Sequence, residues 1–248
     1  MFEAYRQLLK VLSLCLDING PLLSPALYLF ECVRVHYEER TEAFDARFGT
    51  DTTSPFVERR EPTGAYFYVP SKASVIRRVL ATIPLEPNEF VFVDMGSGKG
   101  RALLVASEFP YAKIVGIELS DHLHQIAQAN VKRFAPPSQK CADFELRCMN
   151  AADYVFSDAP LVLFLFDPFG REVLERVVAN LEASLRATPR AAYVVYVCPH
   201  FEEVLRHSPA LTKLKEGGPR WQPWNQYVLY AASPRGPESA EEHAAIAI

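Results

Sequence analysis

The segment Val93-Asp94-Met95-Gly96-Ser97-Gly98-Lys99-Gly100-Arg101 constrains this chain more than any other stretch of its 248 residues. It joins the short apolar run Phe90–Val93 to an apolar-periodic stretch, Arg101–Phe109, that is closed by Pro110. Three alternating glycines let a backbone turn tightly and approach a ligand closely before a helix begins. The spacing is not the dinucleotide-binding G-x-G-x-x-G, because Arg101 stands in place of the third glycine. It is not the phosphate-binding G-x-x-x-x-G-K-[ST] either. A strand, a glycine turn and a helix open a parallel α/β sheet, and the ligands of such sheets sit beyond the carboxyl ends of the strands.

The rest of the chain keeps this rhythm. Lys113–Ile117 predicts a second strand that stops at Glu118, followed by a helix capped at Ser120/Asp121 and carrying Leu123, Ile126, Ala127, Val131 and Phe134. Phe144–Cys148 reads as a third strand. Leu161–Phe166 reads as a fourth, uniformly apolar as a strand covered on both faces should be. A helix over Glu172–Arg186, a strand over Ala191–Val197 and a last strand over Gln226–Ala231 complete the pattern. Before the glycine turn, Ser71 is the expected N-cap of a helix bearing Val75, Ile76, Val79 and Leu80, and residues 49–70 read as a loop by composition. Residues 1–48 predict two helices, the second running from Ser24 to about Glu39. The expectation is a doubly wound, mostly parallel sheet with an N-terminal helical extension.

Charge and cysteine content narrow the setting. A net charge of -4 and a pI near 5.9 give no bulk drive toward duplex nucleic acid or an anionic membrane, so neither is expected as a partner. The five cysteines (Cys15, Cys32, Cys141, Cys148, Cys198) form no C-x-x-C, and no histidine pair sits at zinc spacing, so no metal is expected. They read as reduced thiols. The apolar stretch Val11–Leu16 is broken by Asp17 and Asn19-Gly20-Pro21, too short for a span and unlike a signal peptide, so the expected location is the cytoplasm.

The informative residue of the glycine turn is Asp94. A carboxylate two positions before Gly96 faces the ligand, repels a pyrophosphate and attracts an ammonium group. Glu118 ends the second strand 24 residues later, where a carboxylate accepts ribose hydroxyls. With these residues the chain resembles the class I, Rossmann-like S-adenosylmethionine (SAM)-dependent methyltransferases over roughly residues 66–231. The resemblance implies a seven-stranded sheet of that type, with SAM as cofactor and S-adenosylhomocysteine as product. It also implies a cofactor site built from Asp94, Gly96, Ser97, Gly98 and Gly100 around the methionyl portion, with Glu118 and Leu119 at the ribose. Asn150 and Ala151 would hold the adenine, although the common Gly-Asp-Ala is Met149-Asn150-Ala151 here. Tyr66 and Tyr68 would form a lid. Lys99 and Arg101 would offset the cofactor carboxylate or lie on a solvated helix start.

For the acceptor, Phe166-Asp167-Pro168-Phe169-Gly170 resembles the [D/N]-P-P-[F/Y] motif of amino-methylating members, with one proline missing. By that resemblance Asp167 accepts N–H hydrogen bonds from the acceptor and contacts the cofactor, and Phe169 stacks on the cation that develops at nitrogen. His200, in Cys198-Pro199-His200, is a candidate base. Trp221 and Trp224 are candidate walls of the acceptor pocket. The expected layout is a helical cap or extension over 1–65, a SAM-binding domain over 66–231 and a flexible tail over 232–248. The extension is expected to complete the acceptor pocket or to form a dimer contact. The methyl acceptor is expected to be an amine of a peptide, a protein or a small metabolite. Transfer to oxygen or carbon of a small molecule, aminopropyl transfer and a non-catalytic SAM-binding domain are the alternatives.

Overall fold

The computed structural model describes residues 43–54, 56–60, 64–218 and 225–232, with 57–60 and 64–67 described by backbone alone. The helices expected before residue 43, Trp221, Trp224 and the tail beyond 232 lie outside these residues.

Seven strands form one sheet in the order β5-β4-β3-β6-β7-β9-β8: β3 (Val91–Met95), β4 (Lys113–Glu118), β5 (Phe144–Cys148), β6 (Leu161–Phe166), β7 (Ala192–Val197), β8 (Thr212–Gly217) and β9 (Tyr227–Ala232). Neighbours from β5 to β7 are parallel, whereas β9 runs antiparallel to both β7 and β8. This is the doubly wound, mostly parallel sheet of class I methyltransferase type. β3, β7 and β9 are buried throughout, and β6 at every residue but Phe166, as their mainly apolar sequences require of strands covered on both faces.

Strand parity divides the core in two. Val91, Val93 and Met95 join Leu163, Leu165 and the inner stripe of α5 (Arg171–Ala187), namely Leu174, Val177, Val178 and Leu181. Phe92, Ile114 and Phe164 point the other way, into a cluster with α2 (Ala73–Leu80) and α3 (Arg101–Ala106). Because side chains alternate along a strand, Asp94 and Glu118 share this second face with Phe92 and Ile114. The remaining helices are α1 (Phe44–Phe48), α4 (Asp121–Arg133) and α6 (Glu202–Arg206).

Three local expectations need correction. Residues 49–70 are not all loop: β1 (Phe56–Arg60) and β2 (Gly64–Tyr68) pair as an antiparallel hairpin, and the boundary expected at 65/66 falls inside it. Ser71 does not cap α2, whose N-cap position is Lys72 and carries no side-chain cap bond. Ser120 does occupy the N-cap position of α4, but its hydroxyl makes no cap bond and is buried without a hydrogen-bond partner.

Residues 43–54 are strapped to the sheet through α4. Phe44 stacks on Phe134 with ring centroids 5.8 Å apart, and the Asp45 carboxylate accepts from the hydroxyls of Thr50, Thr52 and Thr53. Asn130 closes the strap. Its Nδ2 donates to the carbonyls of Asp51 and Lys99, and its Oδ1 accepts from the Asp51 N–H.

Candidate functional site

The glycine turn has the left-handed backbone that its sequence demands, with φ of 79° at Gly96, 54° at Gly98 and 86° at Gly100. It is tied to the end of β4 from two directions. The Gly96 and Ser97 N–H groups donate to the Ile117 carbonyl, and the Gly98 N–H donates to Glu118 Oε2 at 2.8 Å. Glu118 Oε1 accepts from the Ser120 N–H at 2.7 Å. Glu118 therefore holds the turn in place, and each of its oxygens keeps a second lone pair.

The turn has no room for a side chain at Gly98. A Cβ there would lie 2.3 Å from Tyr68 Cε2, and the Tyr68 ring is fixed because its hydroxyl donates to the Thr52 carbonyl at 3.0 Å. Gly98→Ala is expected to destabilise the protein by roughly 2–4 kcal/mol, from overpacking and a left-handed alanine together. A denaturant melt checks this, and a loss below about 0.5 kcal/mol would contradict it.

Asp94 lies at the bottom of a pocket whose walls include Tyr68, Ser71, Ser97, Phe166 and Pro168. Only 3% of Asp94 is exposed, and among the described residues no donor reaches its carboxylate. Burial, with the negative Glu118 as a second cause, pushes its pKa up to about 8. An isolated buried carboxylate is costly and is tolerated where a ligand brings the missing cation.

Lys99 and Arg101 do not lie on a solvated helix start. Lys99 is 1% exposed, and its ammonium pairs with Asp51 at 3.1 Å and donates to the Ser54 carbonyl at 2.8 Å. Burial lowers its pKa, and the charge of Asp51 opposes that shift. The Arg101 Nε donates to Thr52 Oγ1 at 2.7 Å, and Arg101 also lines the pocket.

Leu119, next to Glu118, is exposed, and neither it nor Asn150 or Ala151 is among the residues that line the Asp94 pocket. The Asn150 side-chain oxygen caps a short turn by accepting from the Ala152 N–H at 2.9 Å, and Ala151 is buried beneath it. The Met149 N–H donates to the Glu118 carbonyl, so this segment is anchored to the end of β4. The Tyr66 side chain lies outside the described residues. Phe169 is not among the walls of the Asp94 pocket and packs against the α5-side core.

The structure brings Asp167 and His200 together. Asp167 Oδ2 lies 2.6 Å from His200 Nδ1, and Oδ1 accepts from the Tyr196 hydroxyl at 3.3 Å. Asp167 takes a left-handed backbone with φ 39°, and Pro168 after it presses its Cβ toward Gly96. Tyr196 is a functional candidate absent from the sequence reading, because it sits inside a wholly apolar strand. Burial and the charge of Asp167 raise its pKa above the ordinary phenol range. Cys198, also left-handed with φ 53°, places its sulfur 3.9 Å from His200 Nδ1.

A family model described as "Histone methylation protein DOT1" matches residues 58–153. A protein-lysine N-methyltransferase of Saccharolobus islandicus (strain REY15A) is 34% identical over 67 residues, which are 27% of this chain and 41% of that protein. The chain thus matches about two fifths of that curated relative. Among solved structures, the SAM complex of the glycopeptide N-methyltransferase MtfA overlays with a TM-score of 0.46 at 11% identity, over 70% of this chain and 98% of that one. An RNA methyltransferase from Salinibacter ruber, in complex with S-adenosyl-L-homocysteine, overlays with a TM-score of 0.42 at 20% identity, over 66% of this chain and 92% of that one.

Proposed function

We propose that this chain is a SAM-dependent methyltransferase acting on an amine nitrogen, with the lysine side chain of a protein or peptide as the favoured acceptor. The observation that carries the cofactor assignment is Asp94, a buried carboxylate with no donor among the described residues, beside a glycine turn without a phosphate-type fingerprint. The ammonium of the methionyl portion supplies its missing partner. In this reading Arg101, which lines the same pocket, offsets the methionyl carboxylate, and Glu118 takes the ribose. Leu119, Asn150 and Ala151 border the adenine.

SAM carries its methyl on a sulfonium, so transfer forms an N–C bond as the S–C bond breaks and S-adenosylhomocysteine leaves. The protein has little covalent chemistry to do, and alignment supplies most of the acceleration. A lysine acceptor must first lose a proton. The Asp167 carboxylate fixes the tautomer of His200 with hydrogen on Nδ1, which leaves Nε2 as the accepting lone pair. The His200 side chain is 55% exposed, so the proton it takes passes on to solvent.

Support for a protein acceptor comes from the matched description of a histone methylation protein, and support for lysine from the relative named as a protein-lysine N-methyltransferase. The test is transfer of tritiated methyl from SAM, by the purified chain, into a lysate separated into protein and small-molecule fractions. Label in the protein fraction, recovered as methylated lysine after acid hydrolysis, is the expected result. Label confined to small molecules would move the acceptor to a metabolite. Label in a base-labile ester or on a nucleic acid would overturn the amine assignment.

A further inference from the structure

Two neighbouring parallel strands end in a mixed set of metal-binding donors. Phe166 of β6 pairs in register with Val197 of β7, so the residues that follow them, Asp167 and Cys198, stand side by side. The His200 N–H donates to the Cys198 carbonyl at 2.8 Å, which folds the chain back over the thiol. One ligand atom each from Asp167, Cys198 and His200 lies within 4.8 Å of the other two. We propose that these three side chains bind one divalent transition-metal ion of the zinc type, leaving a fourth coordination position open.

The donor chemistry selects the class of ion. A thiolate, an imidazole nitrogen and a carboxylate oxygen suit borderline-soft ions, whereas calcium and magnesium require oxygen ligands. Ordinary zinc bond lengths at a tetrahedral angle set nitrogen and oxygen about 3.3 Å apart and nitrogen and sulfur about 3.6 Å apart. The observed separations are 2.6 Å and 3.9 Å. By the same bond lengths, metal entry needs His200 to swing by roughly 0.7 Å away from Asp167 and about 0.3 Å toward the sulfur, with the Asp167 oxygen and the Cys198 sulfur, which lie within 4.8 Å of each other, brought to about 3.6 Å. The exposed imidazole can make that movement. Cys198 is 3% exposed and Asp167 is held by the Tyr196 hydroxyl, so two ligands are anchored and one is adjustable.

Protons balance simply. The thiol releases its proton on forming the metal–sulfur bond, and the imidazole proton moves from Nδ1 to Nε2 through solvent, so one proton leaves for each ion bound. The site shares Asp167 and His200 with the proposed base, but it does not rest on methyl transfer. An ion bound there also takes Nδ1 and Asp167 out of their hydrogen bond.

The test uses the full chain, reduced and chelator-treated, titrated with cobalt(II). The expected result is a thiolate-to-cobalt charge-transfer band in the near ultraviolet that saturates at one equivalent and is bleached by one equivalent of zinc. The band should vanish in Cys198→Ser and persist in Cys148→Ser, which alters an exposed thiol elsewhere. His200→Ala changes an exposed side chain, so it keeps the fold and should weaken cobalt binding at least tenfold. Absence of the band in the folded wild-type chain would overturn the proposal, as would its survival in Cys198→Ser or unchanged affinity in His200→Ala. Cobalt binding in a chain that transfers no methyl would leave the metal site standing and refute the transferase alone.

Discussion

Asp94→Asn is expected to raise the melting temperature of the ligand-free protein and, in the same molecule, to erase most of the stabilisation by SAM. The folded carboxyl has its pKa pushed up to about 8 from an ordinary 3.8, with burial as the main cause. Between these values the unfolded chain has given up a proton that the folded chain retains. Stability contributed by this position therefore falls as pH rises from about 4 and is fully lost above about 8. Asparagine removes that penalty without changing the volume. Relative to the wild type, the gain should be near zero at pH 4 and several degrees at pH 8, since 1 kcal/mol moves the midpoint by roughly 2–4 °C in a chain of this size. The ligand reverses the sign. An ammonium beside Asp94 favours the ionised form, so losing the carboxylate should weaken SAM binding about 100-fold, or roughly 2.7 kcal/mol. For the same reason the wild type should bind SAM less tightly as pH falls below about 8. A variant that melts higher and binds SAM like the wild type would place the ammonium elsewhere.

His200→Ala should lower kcat by about 10²- to 10⁴-fold, the range over which a positioned base contributes. The SAM dissociation constant should stay within about twofold of wild type, because His200 is not among the residues that line the Asp94 pocket. Asp167→Asn tests the second half of the pair. Its amide can no longer accept strongly from Nδ1–H without reorienting, so the wrong tautomer becomes populated and kcat should fall in the same direction. Single-turnover rates with saturating SAM separate this loss from binding. If kcat for His200→Ala stays within twofold of wild type, the acceptor amine arrives already neutral and the Asp167–His200 pair serves structure only.

What was legible in the sequence follows from short-range physics. The strands β3, β4, β6, β7 and β9 announce themselves by apolar runs and β5 by apolar–charged alternation, and Asp94 and Glu118 stand out because each breaks an apolar run at its carboxyl end. The glycine turn needs no neighbour to explain it. By contrast, β8 (Thr212–Gly217) is an edge strand with Lys213, Lys215 and Glu216 along it, so its one covered side leaves a weak pattern. The β1–β2 hairpin hid behind the Gly, Pro and Ser residues around it. Lys99 reads as a surface lysine until Asp51, 48 residues earlier, is folded against it. The Asp167–His200–Cys198 group was invisible as a group. Its members are joined through the register of β6 and β7, and no local spacing encodes that register.

Methyl transfer as proposed requires Asp94 and the glycine turn to hold the methionyl end of SAM. The most direct measurement is a calorimetric titration of the purified chain with SAM at pH 8, followed by competition with S-adenosylhomocysteine. One equivalent should bind with heat, and the product should displace it. No heat and no competition from either molecule would contradict the central claim.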